Sequence, residues 1–161
     1  MRVVMVAAEC VPFAKAGGLG DVIGALPIQL ERLGIEVSIL LPRYRSIELQ
    51  KYGFEPFPVS GEMRVPFGWE ELTYDVQVSV LPGTSIKVFL IGNDRFFNRD
   101  GLYFDPVTGR DFPDQVDRWI FFSRASMEVM GIRMSCPCCR FTARVRSRCS
   151  WSTASARCAA P

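Results

Sequence analysis

Residues 1–41 read MRVVMVAAECVPFAKAGGLGDVIGALPIQLERLGIEVSILL, and the order of patterns in them decides the fold. Met1 to Ala8 is a continuous apolar, β-branched run, the pattern of a strand covered on both faces in a parallel sheet. A glycine-rich loop follows. From Gly20, the residues Val22, Leu26, Leu30 and Leu33 recur at i, i+4, i+8 and i+11, one stripe of a helix that Gly34 ends. Pro27 lies inside that helix, and an interior proline costs ~3 kcal/mol, so the spacing predicts a bend near Ala25. Glu36 to Leu41 reads as a second buried strand, completing a β-α-β unit whose crossover is expected to be right-handed. The fold class is α/β with a mostly parallel sheet.

Working outward, Tyr74 to Leu81 alternates, Pro82-Gly83-Thr84 turns, and Ser85 to Ile91 runs apolar, which predicts an antiparallel pair. Gly92 to Arg110 is a polar loop. Asp111 and Pro113 mark the start of a helix through Met130, with Val116, Ile120, Met127 and Met130 on one face. Trp119, Phe121 and Phe122 read as helix core, and Cys10 as a small buried residue.

At 161 residues the chain has the length of one domain, and 48% hydrophobic residues are enough for a core. It contains no histidine, which excludes Ser-His-Asp and Cys-His catalysis and the HExxH zinc site, since each needs an imidazole. The net charge of +2 averages two unlike segments. Residues 133–161 hold six Arg, five Cys and no acid, leaving 13 basic and 17 acidic residues, a net −4, in residues 1–132. An acidic body offers no electrostatic footprint for nucleic acid. No run approaches the ~18 apolar residues of a membrane span, so neither partner is expected. A cytoplasmic or plastid setting follows.

Lys15-Ala16-Gly17-Gly18-Leu19-Gly20-Asp21 sits between the first strand and the first helix, where a sheet's carboxyl edge and a helix N-terminus together form an anion site. It is not a dinucleotide fingerprint, because Ile23 stands where the third glycine belongs, nor is it a GxxxxGK[ST] loop. Placement alone therefore supports a phosphate or sugar-phosphate loop.

The longer string from Glu9 to Pro27, ECVPFAKAGGLGDVIGALP, closely resembles the N-terminal signature of the ADP-glucose-dependent glycogen and starch synthases. Asp94 to Tyr103 (DRFFNRDGLY) is a second match, and Phe112-Pro113-Asp114 with Arg118 to Ala125 (RWIFFSRA) a third. The resemblance covers residues 1–132 and implies part of the N-terminal, Rossmann-like lobe of a two-lobe retaining glucosyltransferase. Such an enzyme extends an α-1,4-glucan from ADP-glucose with no metal or other cofactor. The chain has no Asp-x-Asp pair, in keeping with that. The resemblance further implies that Lys15 and the amides of Gly17 and Gly18 face the nucleotide-sugar phosphates, while Glu9, Asp21 and Tyr103 line the sugar or acceptor side. Ala16 departs from the usual Thr of the motif, removing a hydroxyl but keeping the lysine and backbone.

Each role stands beside a structural alternative. Lys15 could instead be a solvated lysine, although its motif favours the phosphate contact; the alternatives are a helix cap or a partner to a base for Glu9, a charge favouring the helix dipole for Asp21, and a packed aromatic for Tyr103. Beyond Ile132 the resemblance stops, acids vanish, and the composition is that of GC-rich codons read in a shifted frame. Residues 133–161 are therefore expected to be a disordered, non-native tail, and the isolated chain to be inactive. A rival reading is a non-catalytic sugar-phosphate-binding or interaction protein. In it the tail, with Cys136, Cys139, Cys149 and Cys158 and its arginines, binds metal or polyanions.

Overall fold

The computed structural model of the chain describes residues 1–58 and 62–135. The expectations for a disordered, metal-binding or polyanion-binding tail fall outside the described residues beyond Ser135.

Strand β1 (Arg2–Val6) leads through a loop to α1 (Gly18–Arg32) and then β2 (Glu36–Pro42). β1 pairs with β2 in parallel, from Arg2 opposite Glu36 to Val6 opposite Leu40. β3 (Glu55–Pro56), β4 (Met63–Phe67) and β5 (Glu70–Val80) follow, then β6 (Lys87–Gly92), a short α2 (Asp94–Phe97) and a long α3 (Gln115–Ser135). The sheet order is β1-β2-β6-β5-β3, with β4 added to β5.

The α/β class expected from the sequence is the one observed, but the sheet is mixed. β1, β2 and β6 run parallel, whereas β5 is antiparallel to each of β6, β3 and β4. The parallel expectation therefore holds for the half of the sheet that carries the glycine loop. The expected antiparallel pair is present as β5 and β6, joined through the Leu81–Thr84 turn with Gly83 at φ +76°. β4 was not legible because Pro66 breaks the strand pattern. Since β4 pairs only with β5, the missing N–H of Pro66 costs no second partner, and Gly68 at φ +61° opens the two-residue link to Glu70.

β2 and β6 form the centre. Ile39, Leu41, Val88, Leu90 and Ile91 are fully buried, as residues of a parallel strand covered on both faces should be. β1 is different: it lies at the sheet edge and its residues are only half-buried, with Arg2 and Val6 exposed, so the expected two-sided cover is absent. Against β4 and β6, α3 buries Phe121, Phe122, Ala125 and Val129, and the rings of Phe96, Phe97 and Phe121 meet at 5.2–6.4 Å between centroids.

Both helices expose most of the expected stripe. In α1, Val22, Leu26 and Leu33 are exposed, only Leu30 of the stripe packs against the core, and Gly20, Ile23 and Pro27 are buried. The reason is close approach: a Cβ on Gly24 would stand 3.0 Å from the Val11 carbonyl oxygen, and one on Gly20 3.4 Å from that of Ala14. Small residues let the helix press onto the preceding loop, and that contact chooses its face. The helix runs through Pro27 as one element, Gly18–Arg32. In α3, Val116, Ile120 and Met127 are likewise exposed while Met130 packs against the core, because the aromatic cluster around Phe121 and Phe122 takes the inner face.

Candidate functional site

Because β1, β2 and β6 are parallel, their carboxyl ends lie on one edge of the sheet, where open α/β sheets bind ligands. That edge carries the loop after Val6, Arg43 after β2, and Asn93 and Asp94 after β6.

The loop between β1 and α1 has an anchored half and an exposed half. In the anchored half Cys10, Phe13 and Ala14 are buried. Cys10 and Ala14 exchange backbone hydrogen bonds at 2.9 and 3.0 Å, and the Val11 N–H donates to the Gly20 carbonyl at 3.0 Å. The Tyr44 hydroxyl donates to the Ala8 carbonyl at 2.9 Å, and Phe13 packs edge-on against Tyr52 and Phe54. Lys15, Ala16, Gly17, Gly18 and Leu19 are then exposed in succession, and Gly18 opens α1. A side chain placed on Gly18 would meet nothing within 4 Å, so space stands open above it.

Glu9 organises this loop from beneath. It is 3% exposed, and one carboxylate oxygen accepts from the Ala16 N–H at 2.7 Å and the Gly17 N–H at 2.8 Å. The other accepts from the Tyr103 hydroxyl at 2.6 Å. Burial alone would raise the pKa of this carboxyl, but Tyr103 and the Ala16, Gly17 and Gly20 amides outweigh it and hold it below the usual carboxylate range. Burial, and then the hydrogen bond to Glu9, push the Tyr103 phenol well up. Both oxygens of Glu9 face protein donors, one the two amides just before α1 and the other the Tyr103 hydroxyl, a contact set that a capping role explains. The Gly17 amide is likewise engaged inward, which leaves the first-turn amides of Gly18 and Leu19 toward solvent.

Lys15 lies half-exposed, its ammonium 2.6 Å from the Asp21 carboxylate in the first turn of α1. The two charges thus sit together at the rim. Arg43, a second cation near this edge, is engaged by Asp75 at 2.9 Å and Asp94 at 3.3 Å. It lies so close to Gly92 that a Cβ there would fall 2.2 Å from its Nε. A groove of about 560 Å³ lined by Thr73, Asp75, Asn93, Asp94 and Arg95 opens beside it, and neither Glu9 nor the exposed residues from Lys15 to Leu19 line it. Among the described residues no group of acidic, Cys or His side chains could hold a metal ion.

Tyr103 reaches Glu9 from the loop after α2. Arg99 fixes that loop by a fork to Asp114 at 3.0 and 2.7 Å, a hydrogen bond to the Phe96 carbonyl at 2.9 Å, and stacking on Phe112 at 4.3 Å. Gly101 at φ +83° turns the chain where any side chain would strike the Phe104 carbonyl. Beneath Tyr103 lie Gln115 and the fully buried Arg118, neither of which the sequence reading assigned a role. The available signal was a lone arginine three residues before Phe121 on the aromatic face of a helix.

Residues 2–140 match the family model described as the starch synthase catalytic domain. The chain belongs to that family. It is 38% identical over 130 residues to glycogen synthase 1 of Geobacter metallireducens, covering 80% of this chain and 25% of that protein. It is 35% identical over 132 residues to the glycogen synthase of Thermotoga maritima, covering 81% and 26%. Among solved structures, the catalytic domain of starch synthase IV from Arabidopsis thaliana, bound to ADP and acarbose, matches with a TM-score of 0.68 and 27% identity over 81% of this chain and 25% of that one. The chain thus spans about a quarter of the length of these relatives, and the resemblance drawn from the three motifs is the one the comparisons show. The family match extends past Ile132, to residue 140.

Proposed function

We propose that this chain carries the donor-phosphate side of an ADP-glucose-dependent α-glucan synthase cleft. In this reading the diphosphate lies over the exposed run from Lys15 to Leu19. Lys15 supplies the cation, and the amides of Gly18 and Leu19 at the start of α1 supply donors aligned with the helix dipole. Gly17 contributes an unobstructed backbone, its own N–H being held by Glu9. The reaction served is the family's: retaining transfer of glucose from ADP-glucose to the non-reducing end of an α-1,4-glucan. It implies a cytoplasmic setting, or a plastid one in a plant or alga.

The observation that carries the proposal is the coincidence of three features. They are an anchored loop with an exposed Lys-Ala-Gly-Gly segment, a helix N-terminus behind it, and the carboxyl ends of three parallel strands beside it. The ADP in the Arabidopsis neighbour supports the choice of ligand. Transfer itself needs groups converging on the transition state, and one side of a cleft cannot pre-organise them. Calorimetric titration of the 161-residue chain with ADP is expected to show saturable binding that Lys15→Ala weakens. Incubation with radiolabelled ADP-glucose and glycogen is expected to show no transfer. A folded chain that ignores ADP, or binds it equally well without Lys15, overturns the reading.

A further inference from the structure

We propose that Gln115 and Arg118 of α3 are positioning residues for the glycine loop, acting on it through Tyr103 and Glu9. Five hydrogen bonds form a continuous line. Arg118 Nη1 donates to Gln115 Oε1 at 2.8 Å, and Gln115 Nε2 donates to the Tyr103 carbonyl at 3.2 Å. The Tyr103 hydroxyl donates to Glu9 Oε1 at 2.6 Å, and Glu9 Oε2 accepts from the Ala16 and Gly17 amides. The line starts in the helix packed on β4 and β6 and ends in the loop after β1.

Arg118 fixes the sense of this line. Its side chain is fully buried, and its guanidinium lies 5.5, 4.9 and 5.3 Å from the rings of Phe97, Phe112 and Trp119, contacts that hold a buried cation in place. Its Nε and Nη2 have no hydrogen-bond partner among the described residues, so its one bond to Gln115 is its only polar outlet. A guanidinium can only donate, so the Gln115 side chain must turn its oxygen toward Arg118. Its NH₂ group then faces the Tyr103 carbonyl, which can only accept. The amide orientation is therefore dictated by chemistry at both ends. Tyr103, held by its main chain, aims its hydroxyl at Glu9, and Glu9 sets the path of Ala16 and Gly17. A loop whose amides must meet a diphosphate gains from this because its geometry is set before the ligand arrives.

This inference rests on the proposed ligand loop only for its effect on binding, and the test separates the two. In amide ¹H–¹⁵N spectra of the full chain, Tyr103→Phe is expected to move the Ala16 and Gly17 amide protons upfield as Glu9 loses its fixed position. Gln115→Met is expected to move the same two resonances in the same direction, with β2 and β6 unchanged. Because the groups act in series, the double variant is expected to match Tyr103→Phe alone rather than the sum. ADP affinity is expected to fall about three- to tenfold in each single variant, the loss of about one net hydrogen bond, and no further in the double. If Gln115→Met disturbs the fold, Gln115→Glu serves instead. It still accepts from Arg118 but offers no donor to Tyr103, and the same displacement is expected. Unmoved Ala16 and Gly17 resonances in the Gln115 variants, or displacements that add, overturn the proposal. Absence of ADP binding in the unaltered chain overturns the proposed function instead, and the amide shifts still decide this one.

Discussion

Replacing Glu9 tests whether a buried carboxylate holds the loop. It accepts three charge-assisted hydrogen bonds at 2.6–2.8 Å, from Tyr103 and from the Ala16 and Gly17 amides. Such bonds contribute about 1.5–3 kcal/mol each when both partners are shielded from water. Ala16 and Gly17 are exposed, so water recovers most of what their amides lose, and only the bond to part-buried Tyr103 counts nearly in full. Adding a helix-dipole contribution of about 0.5 kcal/mol gives roughly 3 kcal/mol for Glu9→Ala. Glu9→Gln keeps the shape, and with its oxygen on the amides its NH₂ can donate to the Tyr103 hydroxyl, so only the charge assistance is lost and about 1–2 kcal/mol is expected. Urea unfolding followed by circular dichroism is the assay. At a slope of about 1.5–2 kcal/mol per molar, the alanine variant should lower the midpoint by about 1.5–2 M. The pH dependence supplies a second reading. A carboxyl whose folded pKa is depressed stabilises the fold fully above its ordinary range and loses that contribution as pH falls through the folded value. The gap between wild type and Glu9→Gln should therefore be constant near neutrality, begin to narrow as pH falls through the ordinary carboxylate range, and close only below the depressed folded value. A loss under about 1 kcal/mol, or a gap that ignores acid, refutes the cap.

Three further outcomes are expected. Lys15→Ala should weaken ADP binding about tenfold or more in calorimetry, with Lys15→Arg recovering part of it, while Lys51→Ala, in an ion pair with Glu48, changes nothing. Gly101→Ala forces a left-handed φ on a side chain that also meets the Phe104 carbonyl at 2.1 Å, and should cost about 2 kcal/mol or more by the same urea assay. Cys10 is fully buried, and burial pushes its thiol up to about 12. Peptide mass mapping after native alkylation at pH 8 should find it unmodified until denaturant is added.

What the sequence made legible was what local pattern controls. The β1-loop-α1-β2 order, the β5–β6 pair and the burial of Cys10, Phe121 and Phe122 all follow from runs, turns and small or aromatic side chains. What it hid was set by tertiary contact. In α1 large apolar residues lie on both sides, Leu19, Val22 and Leu26 outward and Ile23, Ile28 and Leu30 inward, so hydrophobic spacing could not choose between them; Gly20 and Gly24 chose the face by allowing the backbones to touch. Pro66 concealed β4 because a strand with one neighbour tolerates a residue that a central strand does not. In the site, a glycine run beside a lysine was readable as a motif. That Glu9 turns inward to the Gly17 amide was not, since it depends on Tyr103, 94 residues along the chain.

The charge of the loop has a consequence for any ligand it meets. With no histidine in the chain, Glu9 held low, Cys10 pushed up to about 12 and the Tyr103 phenol raised by burial and Glu9, none of these side chains exchanges a proton between about pH 5 and 9. A terminal phosphate does, losing its second proton near pH 6. A bend in binding affinity near that pH therefore originates in the ligand's own ionisation. Glu9, Cys10 and Tyr103 keep their charge states while the ligand titrates, and the depth of the bend measures how strongly the site prefers the doubly charged phosphate to the singly charged one.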